Sequence, residues 1–151
     1  EIGLGIPAEP LFRSFLLRNM LNQVCKRDES MVASLRFAVD ALKVQNIVIL
    51  GHSDCNAVQK LKHLEDLPPE ISAWLERSHT SYRGATLDEA VKNNVLDQLG
   101  HLAESPFVAA AVRENRLNLE GLFFRIDNGR LERYDKNALA WYMVDTEPEH
   151  E

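Results

Sequence analysis

The sequence has few cysteines, and this limits the kind of protein it can encode. Only Cys25 and Cys55 occur in 151 residues, which is too few for the disulfide framework of a small secreted domain. Free or metal-bound thiols suit a reducing compartment, so we expect the cytoplasm or the interior of an organelle or microcompartment. Cys25 lies in a polar stretch and is expected to be an ordinary free thiol.

Long apolar runs and basic stripes are also missing. No apolar stretch approaches the roughly 20 residues of a membrane span, and no signal peptide is recognisable. The net charge is −6, so we expect no nucleic-acid and no membrane partner. Gly3 and Gly5 lack the third glycine of a dinucleotide-binding loop. The chain does not begin with Met, so we expect further residues upstream, and targeting cannot be inferred.

The residues that are present predict one α/β domain. Hydrophobic residues make up 45% of the chain, enough for a sizeable core. The alternation of elements favours a mainly parallel sheet flanked by helices, with an antiparallel hairpin near the C-terminus. Trp141, Tyr142 and Met143 are expected to pack against a helix or another subunit. The predicted strands are 1–7 (a strand end), 47–50, 119–126 and 131–134, and the predicted helices are 30–43, 57–64, 71–78, 87–102 and 106–115.

The most informative motif is His52-Ser53-Asp54-Cys55, which directly follows an apolar run that is typical of a buried parallel strand. Ligand sites in open α/β sheets form at the carboxyl ends of strands, and His and Cys are preferred ligands of Zn²⁺. A pair of ligands is a weak signal, however, so Cys55 could equally be a buried residue beside a capping loop. Ser53 or Asp54 is expected to cap the next helix, although Asp54 could instead hydrogen-bond a ligand. The other four histidines are expected on the surface.

Residues 47–55 resemble the metal-binding segment of the β-class carbonic anhydrases. Further similar segments follow in the order of that family, at 18–22, 34–44, 67–75, 94–99, 106–108 and 117–129. Each segment alone is unspecific, but the ordered set is specific and covers nearly the whole chain. The resemblance implies a single β-carbonic-anhydrase-like domain over 1–151, from which the family's N-terminal helical arm is absent.

The resemblance also implies a function and an assembly. In the family, two Cys and one His bind zinc, and the zinc-bound hydroxide attacks CO₂ to give bicarbonate, because the metal lowers the pKa of its bound water. His52 and Cys55 would be two of the zinc ligands. The family forms dimers or larger assemblies, so a homodimer or higher homo-oligomer is expected.

The first part of the family's site is replaced in this chain. The family takes its remaining ligand from a Cys-x-Asp-x-Arg segment, and alignment through Pro7 and Glu9 places Glu1, Gly3 and Gly5 at the Cys, Asp and Arg positions. Three interpretations follow: an active enzyme whose sequence is incomplete here, an inactive scaffold, oligomerisation partner or regulator of the same fold, or altered metal chemistry with Glu1 as a carboxylate ligand.

Overall fold

The structure is a computed structural model that describes residues 14–77 and 81–144. Within these ranges the chain forms a four-stranded sheet with helices, which confirms the predicted α/β fold. The strands are β1 (Asn46–His52), β2 (Asn118–Phe124), β3 (Leu131–Asp135) and β4 (Ala140–Met143). The helices are α1 (Glu29–Arg36), α2 (Asn56–Lys60), α3 (Pro69–Glu76), α4 (Leu87–Ala103) and α5 (Pro106–Arg113). A π-helical turn (Phe37–Ala41) extends α1, and short 3₁₀ turns occur at Met20–Asn22 and Leu64–Asp66.

The sheet has the order β1-β2-β3-β4, parallel between β1 and β2 and antiparallel afterwards. The parallel pair runs in register from Asn46 opposite Asn118 to His52 opposite Phe124. Helix α4 packs closely on this pair because β1 carries a glycine there. A Cβ at Gly51 would lie 2.8 Å from methyl groups of both Val91 and Val95.

Strand β1 is buried on one face, whereas the sequence predicted a buried strand. Ile49 and Gly51 are buried, but Val48 and Leu50 on the opposite face are 44% and 50% exposed. The reason is that the helices pack on one side of the sheet in the described ranges. Both apolar clusters of the described residues, one containing Ile49 and the other Phe123, lie on that side.

The predicted helix 30–43 corresponds to α1 and its π-helical extension, which begin and end at other residues. Asp28 is its N-cap and accepts a hydrogen bond from the Met31 N–H at 3.1 Å, so the predicted cap at Ser30 is wrong. Regular helical structure stops at Ala41, and Lys43 has a left-handed backbone with φ 53°. Of the predicted apolar face, Leu35 and Val39 are buried, whereas Val32, Phe37 and Leu42 are exposed.

The other helices agree more closely with the sequence. Helix α4 begins at a capping box, in which the Thr86 and Glu89 side chains each accept a hydrogen bond from the other residue's N–H group. The predicted helix 57–64 ends early, at Lys60. Of the helices in the described ranges, none has the length and apolar character that a membrane span requires.

The sequence did not predict β4. Trp141, Tyr142 and Met143 were expected to pack against a helix or a subunit. They lie in a strand that pairs with β3 from Ala140 opposite Asp135 to Met143 opposite Glu132, and the Trp141 ring also contacts Lys92 of α4. Trp141 packs edge-on against Phe123, with the ring centroids 6.5 Å apart. The predicted strand end at 1–7 lies outside the described residues.

Candidate metal centre

The two predicted metal ligands lie at the carboxyl end of β1. His52 is the last residue of β1 and is exposed, and Cys55 is half-buried at the start of α2. The His52 Nδ1 lies 2.8 Å from the Ser53 carbonyl oxygen. Since a carbonyl oxygen only accepts hydrogen bonds, we assign a ring proton to Nδ1. In the neutral ring, Nε2 then carries the lone pair that can bind a metal ion.

Ser53 holds the turn between the two ligands against β2. Its side chain is buried, and its Oγ accepts a hydrogen bond from the Ile126 N–H at 2.9 Å. Its own N–H donates to the Phe124 carbonyl oxygen at 2.9 Å. The prediction that Ser53 or Asp54 caps the next helix is therefore wrong, because Cys55 is the N-cap of α2 and makes no side-chain capping bond. Asp54 is exposed and has a left-handed backbone with φ 55°.

A turn at residues 19–23 packs beside this centre. Leu21 is 4% exposed and belongs to the apolar cluster against which Cys55 packs. Its φ of 66° is a left-handed conformation that favours glycine. Two side-chain hydrogen bonds fix the middle of this turn: Asn94 Nδ2 donates to the Leu21 carbonyl at 2.9 Å, and Asn22 Nδ2 donates to the Leu50 carbonyl at 2.8 Å. The turn and Cys55 thus share one apolar cluster.

The described residues do not complete a zinc site at His52 and Cys55. A catalytic zinc ion takes three protein ligands and leaves a fourth position for water. Within residues 14–77 and 81–144, one group of three possible metal ligands has its donor atoms within 4.8 Å of one another. It consists of His63, Glu65 and Asp66, which are all exposed. No third donor joins His52 and Cys55 in that part of the chain. The third position that the family resemblance predicts, Glu1, lies outside the described residues, as do Gly3 and Gly5.

A buried charge network lies on the helical side of the sheet, next to the residues that hold Ser53. Glu132 on β3 accepts hydrogen bonds from Lys92 Nζ at 2.5 Å and Arg125 Nε at 2.9 Å. Arg125 Nη1 also donates to Asp88 Oδ2 at 3.1 Å. Burial by itself would lower the pKa of Arg125, but Glu132 and Asp88 outweigh it and raise that pKa. No short motif predicts this network, because its members come from separate elements.

Cys25, His63 and His101 do not join His52 and Cys55 in a group of metal ligands. Cys25 is a free, half-buried thiol, as predicted. His63 is exposed, whereas His101 is half-buried and its Nδ1 lies 3.2 Å from Gln98 Oε1. The predicted surface positions of His79 and His150 lie outside the described residues.

Comparisons with known proteins agree with this fold and motif. The carbonic anhydrase family model matches residues 11–131. The carbonic anhydrase of Pseudomonas aeruginosa is 34% identical over 130 residues, which cover 78% of this chain and 59% of that protein. Carbonic anhydrase 1 of Escherichia coli O157:H7 is 32% identical over 118 residues, covering 68% of this chain and 52% of that protein. The chain thus spans little more than half the length of these relatives.

Solved structures give the same result. The β-carbonic anhydrase CcaA superposes with a TM-score of 0.76 at 26% identity, over 86% of this chain and 71% of that one. A structure of tetrameric β-carbonic anhydrases from Sordaria macrospora superposes with a TM-score of 0.70 at 27% identity, over 79% of this chain and 66% of that one. The chain belongs to the β-class carbonic anhydrase family.

Proposed function

We propose that this chain is a β-carbonic anhydrase homologue that no longer hydrates CO₂ and serves as a homo-oligomeric scaffold or regulator. The observation that supports this proposal is the donor set, since His52 and Cys55 have no third partner among the described residues. Each lost ligand removes a strong bond, so zinc held by two protein ligands would bind weakly. The glycines at the family's Asp and Arg positions also remove the groups that manage the metal-bound water.

The second candidate function is reversible hydration of CO₂ by a zinc-bound hydroxide. Two observations favour it: the hydrogen bond from His52 Nδ1, which leaves Nε2 available to a metal, and the carbonic anhydrases among the relatives. It requires a further ligand from residues outside the described ranges. Glu1 is the candidate from the alignment, because zinc also accepts carboxylate oxygen.

Metal content and CO₂ hydration together distinguish the two functions. We expect the purified protein to hold far less than one zinc ion per chain and to hydrate CO₂ no faster than buffer, because two ligands do not retain the metal. Zinc is measured by atomic emission after dialysis, and hydration by stopped flow with a pH indicator.

Variants of the two ligands serve as the control. His52→Ala and Cys55→Ser should leave both readouts unchanged, since neither side chain supports catalysis under this proposal. One zinc ion per chain together with hydration above buffer, both lost in His52→Ala, would establish the catalytic function instead. Glu1→Gln then tests the carboxylate ligand.

We propose a homo-oligomer because one face of the sheet is not covered by helices in the described ranges. This bare face carries apolar side chains on neighbouring strands, including Val48, Leu50, Phe124 and Tyr142, which are 37–54% exposed. Exposed apolar side chains gathered on one face of a sheet are typical of an interface between proteins, and on this face they flank the Glu120–Arg133 ion pair. A second copy of the chain offers the same apolar face, so the proposed contact is isologous. The tetrameric assembly of the Sordaria macrospora relatives supports a second copy of the chain as the partner at this face.

A charge placed on the bare face should dissociate the assembly. We expect Leu50→Glu to be monomeric where the unmodified chain is a dimer or larger, because the new carboxylate would be buried without a partner. Light scattering coupled to size-exclusion chromatography measures the mass. Leu139→Glu is the matched control, since Leu139 is 75% exposed in the turn between β3 and β4. An unmodified chain that is monomeric, or an assembly that survives Leu50→Glu, would contradict the proposed interface.

A further inference from the structure

A groove lies at the opposite end of the sheet from His52 and Cys55. Its volume is about 710 Å³, within the size range of small-molecule sites. Its floor includes Val39 and Leu117, which are both buried. Gln45, just before β1, and Asn118, the first residue of β2, place it at the amino ends of the parallel strands.

Three cationic side chains from separate segments line this amino-end groove. Lys43 follows the π-helical turn, Arg116 precedes β2, and Lys136 lies in the turn between β3 and β4. Neither Lys43 nor Lys136 forms an ion pair with a residue that the structure describes. Arg116 pairs through Nε with Glu114 at 2.7 Å.

The charge of the groove differs in sign from that of the whole chain. Asp40 is the acidic residue in its lining, and its carboxylate is already paired with Arg36. The chain as a whole has a net charge of −6, so this local excess of cations does not follow from composition. The side-chain amides of Gln45 and Asn115 add hydrogen-bond donors to the same lining.

The helix ends beside the groove do not account for these cations. Lysine and arginine often lie at helix C-termini, where they compensate free carbonyl groups. Beside Arg116 the carbonyls of Ala110, Ala111 and Val112 accept backbone N–H groups, and beside Lys43 the Ala38 carbonyl accepts the Val44 N–H at 3.1 Å. Lys136 belongs to a strand turn and not to a helix. The two lysine ammonium groups therefore remain available to a ligand.

We infer that the amino-end groove binds a small organic anion carrying two or more negative charges, either a phosphate ester or a polycarboxylate. Ammonium and guanidinium groups bind both kinds of oxygen anion through charge-assisted hydrogen bonds, and the apolar floor accommodates a carbon skeleton. This site is separate from the candidate metal centre, so its occupancy does not depend on whether the chain hydrates CO₂.

Calorimetric titration at low ionic strength tests the inference, with inorganic pyrophosphate and citrate as the two probes. We expect at least one probe to bind with one site per chain. In the double variant Lys43→Gln, Lys136→Gln, affinity for that probe should fall at least about tenfold, since both unpaired ammonium groups are removed. Salt at about 0.2 M should also weaken binding, because the charges at an open groove are screened.

The matched control is Lys60→Gln, Lys62→Gln, which removes the same charge from the region of α2. It should bind the probe as the unmodified chain does, and circular dichroism should show that both double variants are folded. Binding of pyrophosphate alone assigns the site to phosphate esters, and binding of citrate alone assigns it to polycarboxylates. The inference is overturned if neither probe binds at millimolar concentration, or if both double variants bind equally well.

Discussion

Replacing Phe123 by alanine is expected to lower the free energy of unfolding by about 3–5 kcal/mol, because the change leaves a cavity in a closely packed core. Phe123 is fully buried on β2. Its ring packs edge-on against Trp141 and lies 4.9 Å from Lys92 Nζ and 5.6 Å from the Arg125 guanidinium carbon. The variant therefore loses apolar burial and the contact of the ring with two half-buried cations.

Urea denaturation followed by circular dichroism measures this loss. Phe37→Ala is the matched control, since Phe37 is 52% exposed on the helical segment that follows α1. We expect the control to change stability by about 1 kcal/mol or less, because little apolar surface is uncovered. Equal losses in the two variants would mean that Phe123 is not the centre of this cluster.

The sequence predicted the position of β1 but not its one-sided burial. Ile47-Val48-Ile49-Leu50 is apolar on both faces, and such a run is typical of a strand that helices cover on both sides. In the described chain only the face of Ile49 is covered. Local sequence does not reveal whether an apolar face meets a helix of the same chain or another molecule, so the exposure of Leu50 had no local signal.

The errors at α1 and β4 have separate physical causes. The π-helical turn at Phe37–Ala41 adds backbone per turn and changes the direction of the residues after Arg36. Leu42 therefore leaves the face that a 3.6-residue period predicts, whereas Phe37, two residues after Leu35, would lie about 200° from that face even in a regular helix. Strand β4 is only four residues long, and the Asp135–Ala140 turn contains none of the glycine or proline that usually marks a hairpin.

Half of the candidate centre could be predicted because it is local in sequence. His52 and Cys55 lie three positions apart after a clear strand, so the spacing alone brought them to notice. The amino-end groove and the charge network had no such signal. Lys43 and Lys136 come together only through the pairing of β1, β2 and β3, and tertiary contacts of this kind are not encoded in any short motif.

The charge network supports the second large prediction: Glu132→Ala should destabilise the protein by about 2–3 kcal/mol, because the change removes charge-assisted hydrogen bonds to two partly exposed cations. Glu132 is 6% exposed and holds both Lys92 and Arg125. Glu104→Ala is the matched control. Its partner Lys26 is 64% exposed, so the loss of stability should be far smaller than for Glu132→Ala.

Glu132→Ala removes the attraction between Glu132 and its cations and also leaves Lys92 without its partner. A double variant separates these two effects. Lys92→Met combined with Glu132→Leu removes an opposite pair together, so we expect it to be more stable than Glu132→Ala alone. Arg125 keeps Asp88 in that variant.

Hydrogen exchange adds a readout near the candidate centre, since the backbone on either side of Arg125 holds Ser53. Glu132→Ala should therefore speed exchange at the amides of Ser53 and Ile126 beyond the change at α5. Uniform acceleration throughout the chain would mean that the network stabilises the fold as a whole without holding the turn between His52 and Cys55.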